Sequence, residues 1–169
     1  MNFHTFLSRA ALALSALPLS PAVHADDHEG RTAVAWPKAY VQECAACHVA
    51  YPPRMLPAAS WARLMGGLDR HFGTDASLDP QDVQRLGQWL QDNAGRDARA
   101  TVPEDRITRT ARFEHKHRHI EAATWRLPSV RSAANCMACH SGADQGRYSE
   151  HGLRMPEGLS ARQRAAWDD

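Results

Sequence analysis

The chain has 169 residues, a formal charge of +1, 43% hydrophobic residues and no long low-complexity tract, which bounds it to one compact unit or two small ones. Charge that close to zero offers no electrostatic reason to expect a polyanion or a membrane surface as partner, and the pattern is not that of a nucleic-acid binder or a coiled coil. Any recognition patch is local.

The N-terminus reads as an export address. Arg9 supplies a positive start, "AALALSALPL" a short apolar run, and "VHA" at 23–25 the small residues a signal peptidase requires. The expected product is an exported, periplasmic chain starting near Asp26, with residues 1–25 removed as a secretory signal peptide. Loss of Arg9 leaves 19 basic against 19 acidic side chains. The apolar run falls short of the roughly 20 residues that span a bilayer, and no later segment qualifies, so no transmembrane segment is expected after cleavage.

"WPKAYVQECAACH" predicts a short helix, followed by the proline-rich loop "VAYPPRMLPAA". "SWARLMGGLDRHFG" predicts a helix with Ser60 as N-cap and Gly73 as its stop. Its inward stripe is Trp61, Leu64, Met65, Leu68 and Phe72. Asp79 caps the next helix, with Pro80 at its first position, Val83, Leu86 and Leu90 facing inward and Gly95 beyond its end. Residues 96–105 read as a linker. "ITRTARFEHKHRHIEAATW" predicts a further helix ending before Pro128. Without sustained strand alternation the fold class is all-α, mostly helical with extensive loops: an N-terminal half over 26–100 and a C-terminal half over 101–169 with a polar tail.

All four cysteines fall in two copies of one pattern, "CAACH" at 44–48 and "CMACH" at 136–140. In an exported chain four cysteines suggest disulfides, but disulfides do not require a histidine after each pair. Zinc-ribbon pairs lie about 15–20 residues apart, whereas 88 residues separate Cys47 from Cys136. A thioredoxin-like redox motif wants one CxxC beside a βαβ pattern, which is absent. CxxCH has a chemical reason for its order. Two thiols on one helical turn form thioethers with the two vinyl groups of a haem, and the next residue then lies under the iron. Cys44, Cys47 and His48 form one such socket, Cys136, Cys139 and His140 the other, so the expected cofactors are two covalently bound haem c groups.

The sixth ligand decides the chemistry, because two strong ligands close the iron and favour electron transfer while an open position admits oxygen or peroxide. At about 100° per residue, His117 falls roughly 40° from Phe113 and about 60° from Ile120, whereas His115 and His119 point away. His117 is the candidate for the second haem, with His115 as runner-up. For the first haem, His71 sits at the edge of the apolar stripe beside Leu64 and Leu68. Met65 competes, since a thioether also ligates haem iron, but core filling is its plainer role. His28 and His151 read as solvent-exposed, and "RMP" at 154–156 as a surface turn.

These residues resemble the small dihaem cytochrome c family of bacteria, whose two c-type haems carry bis-histidine coordination. The likeness runs through "ECAACHVAYPPRMLPAASWARLMGGLDRHFG", "RITRTARFEHKH" and "ANCMACHSGADQGRY", and so covers most of 36–156. It implies that His48 and His71 ligate one iron and His140 and His117 the other. It further implies a one-electron carrier, not an enzyme. The partners it suggests are redox proteins, such as a monohaem cytochrome or a membrane-bound quinol-oxidising system. Two other readings compete: a small dihaem subunit feeding a periplasmic nitrate reductase, which "YPPRMLPAASW" disfavours, and a dihaem peroxidase or gas-binding protein. The last needs an open site, and no acid/base constellation accompanies either socket. "EGLSARQRAAWDD" lies outside the likeness and carries no assigned role.

Overall fold

Helices of this chain are short because prolines and glycines interrupt it every few turns. A computed structural model describes residues 35–96, 101–165 and 167; the expected signal peptide, His28 and part of the expected linker lie outside them. Among the described residues there are five α-helices: α1 Lys38–Cys44, α2 Ala58–Met65, α3 Pro80–Asp92, α4 Ala111–Lys116 and α5 Ala161–Ala165. Single 3-10 turns join them, and three isolated bridges stand in place of any strand. No helix among the described residues is long and apolar enough to cross a membrane. Helices of this length are marginal alone in water, so tertiary packing holds them.

The N-terminal core gathers Tyr40 from α1, Trp61 from α2, Leu86 and Leu90 from α3, and Ala50, Leu56 and Val102 from the loops. As expected, α3 begins with Asp79, whose carboxylate accepts from the Gln81 amide, and with Pro80 at its first position. The Trp61 indole N–H donates to the Pro53 carbonyl at 2.7 Å, tying α2 to the proline loop. Met65 lies against Gly87 of α3 and fills core at the α2–α3 contact.

Three sequence expectations are corrected. Ser60 is not an N-cap: α2 starts two residues earlier, after Pro57, and Ser60 is fully buried within it. Nor does α2 continue to Gly73. It ends at Met65, because the Gly66–Gly67 pair offers no side-chain packing and a large backbone entropy cost. A 3-10 turn at Leu68–Arg70 follows, and Phe72 adopts φ 52° and is 45% exposed instead of facing inward. The helix expected over 107–125 is also broken. A 3-10 turn at Ile107–Arg109 precedes α4, which Thr110 caps by accepting from the Phe113 amide, and His117 already has C-cap geometry.

Val102, in the expected linker, is buried with the first core. Nearby, Arg63 of α2 grips the Asp105 carboxylate in a two-pronged contact of 2.9 and 2.6 Å. The polar tail is built in as well. Leu159 is buried, and the buried Gln163 side chain of α5 donates to the Thr124 hydroxyl at 3.0 Å while accepting from the Ser160 amide. Ser129 donates to the Glu157 carbonyl at 2.7 Å. This segment packs under the residues that lead to the second CxxCH.

Candidate haem-binding sites

The first CxxCH starts on the last residue of α1. Cys44 is half-buried against the N-terminal core, while Cys47 and His48 follow in the turn that ends the helix, on its exposed side. The second is a 3-10 turn, Cys136–Ala138, with His140 held by its amide bond to the Cys136 carbonyl at 2.8 Å. None of the four cysteines is in a disulfide. Burial pushes the Cys44 thiol up to about 11, helped by Glu43, and the Cys136 thiol likewise up to about 11; Cys139 is raised by burial against the opposing pull of Arg154. Such thiols stay protonated at neutral pH, the opposite of the low-pKa thiolates of disulfide oxidoreductases.

Each CxxCH histidine faces a second imidazole. The His48 and His71 ring centroids are 6.2 Å apart with planes at 26°, and those of His140 and His117 are also 6.2 Å apart with planes at 74°. Within each pair, one ring is oriented by a backbone carbonyl: His48 Nδ1 is 2.7 Å from the Val49 oxygen and His117 Nδ1 2.8 Å from the Phe113 oxygen. A carbonyl only accepts, so Nδ1 carries the proton and Nε2 presents a free lone pair, the arrangement that orients a metal-ligating histidine. His71 and His140 keep buried Nδ1 atoms with no hydrogen-bond partner among the described residues. Burial first, and then the neighbouring imidazole, lowers the pKa of both His71 and His140; burial also lowers that of His117, against the opposing Phe113 carbonyl. All three are thereby biased to the neutral, ligating form.

Both expected partners thus come to the CxxCH histidines, by local geometry other than the long helices. His71 directly follows the 3-10 turn at Leu68–Arg70, its amide bonded to the Leu68 carbonyl. His117 stays one helical turn after Phe113, whose ring stacks on it at 4.0 Å, and Trp125 packs beside both rings, 5.8 Å from His117 and 6.0 Å from Phe113. His115, His119 and His151 are exposed, and Met155, 47% exposed, lies in an irregular segment, not the expected turn, whose Arg154 amide bonds back to the Cys139 carbonyl.

Two aromatic side chains beside the sites carried no recognisable sequence pattern. Tyr51 stacks on His48 at 4.9 Å and 23°, and Tyr148 lies 5.4 Å from His140. Their one signal was an aromatic residue within eight positions of a CxxCH histidine, too common to single out.

The donor set suits covalent haem: two free thiols and an imidazole in fixed order, with a second imidazole opposite. The comparisons agree. A dihaem cytochrome c family model matches residues 40–148. The X-ray structure of a dihaem cytochrome c from Shewanella baltica OS155 is similar at 36% identity and TM-score 0.62, covering 71% of this chain and 93% of that one. A crystal structure of DHC purified from Rhodobacter sphaeroides is similar at 38% identity and TM-score 0.59, covering 69% of this chain and 100% of that one. No curated protein sequence matches. With two haem c groups bound covalently, this chain belongs to the dihaem cytochrome c family.

Proposed function

We propose that the protein is an exported carrier that passes electrons one at a time between redox partners through two low-spin, bis-histidine haems. Cys44 and Cys47 bond one haem and Cys136 and Cys139 the other; His48 and His71 ligate the first iron, His140 and His117 the second. The observation that carries this reading is the common 6.2 Å spacing of the two imidazole pairs. A metal–imidazole bond is about 2 Å, so two in line hold their nitrogens about 4 Å apart, and each ring centroid lies roughly 1 Å further out. That geometry admits one metal ion between the rings of each pair.

Each bound haem supplies a ferric/ferrous couple that takes up or releases a single electron. The chain's own residues determine how. Two opposed imidazoles would leave each haem iron without a free coordination position, which would disfavour oxygen or peroxide chemistry, and ligation by imidazole without sulfur would place the potentials below those of histidine/methionine cytochromes. Val49 and Phe113, by accepting from Nδ1, fix two of the four rings and strengthen them as donors. His117 is the ring that faces His140, which favours it over His115, the other candidate for the second iron. The electron partners are redox proteins, a monohaem cytochrome or a membrane-bound quinol-oxidising system; service as the donor subunit of a periplasmic reductase uses the same coordination.

The test is a visible spectrum of the protein matured with a c-type haem assembly system, reduced and exposed to carbon monoxide. Two haems per chain with an unchanged spectrum support closed coordination. A response from either haem sinks the carrier reading and moves the search to peroxidase or gas-sensing chemistry.

A further inference from the structure

Tyr51 touches both sites. Its ring lies flat on the His48 imidazole, with centroids 4.9 Å apart and planes at 23°. Its hydroxyl donates across 83 positions of sequence to the Ala134 carbonyl at 2.8 Å. That same carbonyl accepts from the Cys136 amide at 3.0 Å. A continuous path of ring contact and hydrogen bonds therefore runs from the first proximal histidine to the first cysteine of the second CxxCH.

The path is held at both ends. The buried Tyr40 phenol donates to the Tyr51 carbonyl at 2.5 Å and fixes the backbone that presents the ring. On the far side, Ser132 accepts from the Ala134 amide at 3.1 Å and Asn135 donates to the Val130 carbonyl at 2.9 Å, so the turn that aims the Ala134 oxygen is pinned. Tyr148 is the useful contrast. It also lies beside a proximal histidine, but its hydroxyl bonds at 3.4 Å to Ala143, five residues away in its own loop.

We infer that Tyr51 is a positioning residue that couples the two haem sites, supplying the contact route by which one electron passes between them. This rests on the bis-histidine assignment above. One electron leaves the ferrous iron of one site and is taken up by the ferric iron of the other, and no proton moves. In this route Tyr51 is a contact and not a carrier: its ring stays on His48 and its hydroxyl stays bonded to the Ala134 carbonyl. Its part is structural contact, since electronic coupling falls off less steeply through bonds and hydrogen bonds than across an unbridged gap.

The experiment is exchange spectroscopy of the haem methyl protons by NMR in half-reduced holoprotein, alongside a redox titration. Absorption spectra taken first establish two low-spin haems, so failure of the coordination reading is seen separately and before any exchange is measured. Tyr51→Phe keeps the ring on His48 and deletes the link to Ala134. The expected result is two intact low-spin haems with slowed exchange between the singly reduced forms, while Tyr148→Phe exchanges like the parent. A role confined to stability would lower the melting temperature and leave the exchange rate unmoved, and that result overturns the proposal. Should Tyr51→Phe mature without both haems, Ser132→Ala decides by the same comparison, because it frees the turn that aims the Ala134 carbonyl while leaving Tyr51 whole.

Discussion

His48 and His71 face each other with nearly parallel planes, 26° apart, at the same centroid separation at which His140 and His117 stand 74° apart. The π orbitals of parallel imidazoles act on one iron d orbital and split it from its neighbour, whereas crossed imidazoles act on two and leave them close in energy. The fully oxidised protein should therefore give two low-spin EPR signals at low temperature, one rhombic and one strongly anisotropic. Two identical rhombic signals would contradict the ring geometry at His140 and His117.

Removing a distal imidazole should open one iron and spare the other. His71→Ala is expected to let one carbon monoxide bind per reduced chain, and His117→Ala to do the same at the other haem. His115→Ala should bind none, because His115 is exposed and, two residues after Phe113, points to the other side of the helix, about 200° round. Carbon monoxide binding by His115→Ala, with none by His117→Ala, would exchange the two assignments.

The Arg63–Asp105 contact predicts an acid-sensitive step. Hydrogen bonds from Arg63 hold the Asp105 carboxyl below its ordinary value, outweighing burial, which acts the other way. A carboxyl whose folded pKa is depressed contributes stability above its unfolded value of about 3.9, and the contribution is lost as pH falls through the folded value. Thermal melts of the parent and Asp105→Asn should thus differ most at pH 6, converge as pH drops below about 4, and differ less in high salt, since Arg63 is exposed. A difference that persists at the acid end would assign the effect to packing, not charge.

Gly146 has φ 72° and lies against Trp36, where an added Cβ would come within 2.8 Å of the indole ring; Gly73 has φ 94° with open space around it. Gly73→Ala should cost roughly 1–2 kcal/mol for the left-handed backbone alone. Gly146→Ala should cost that and about 1–3 kcal/mol more for overpacking. Denaturant titrations of the two variants measure the gap directly, and equal losses would show that Trp36 yields at no cost.

The chemistry of this protein was legible wherever it is written in consecutive residues. Cys44, Cys47 and His48, like Cys136, Cys139 and His140, must lie within one turn to serve a single haem, so five letters carry the whole motif. Asp79 with Pro80, and the step from Phe113 to His117, are equally local, which is why a helix one-third of its expected length still leaves His117 beside Phe113. Helix ends were less legible. Helical periodicity carried the reading across Gly66–Gly67, and nothing in a helical wheel registers how little those two residues hold.

What the sequence determined by itself is the inventory: a mostly helical chain, two CxxCH sockets, and histidines enough to cap both irons. The tertiary structure alone decided the pairings across distance. It buried Gln163 against Thr124 and stretched Tyr51 from one site to Ala134 beside the other. The physical reason is range. Thioether spacing, capping and the i to i+4 step are settled within a few residues, whereas these contacts join segments whose encounter depends on how every intervening turn is packed.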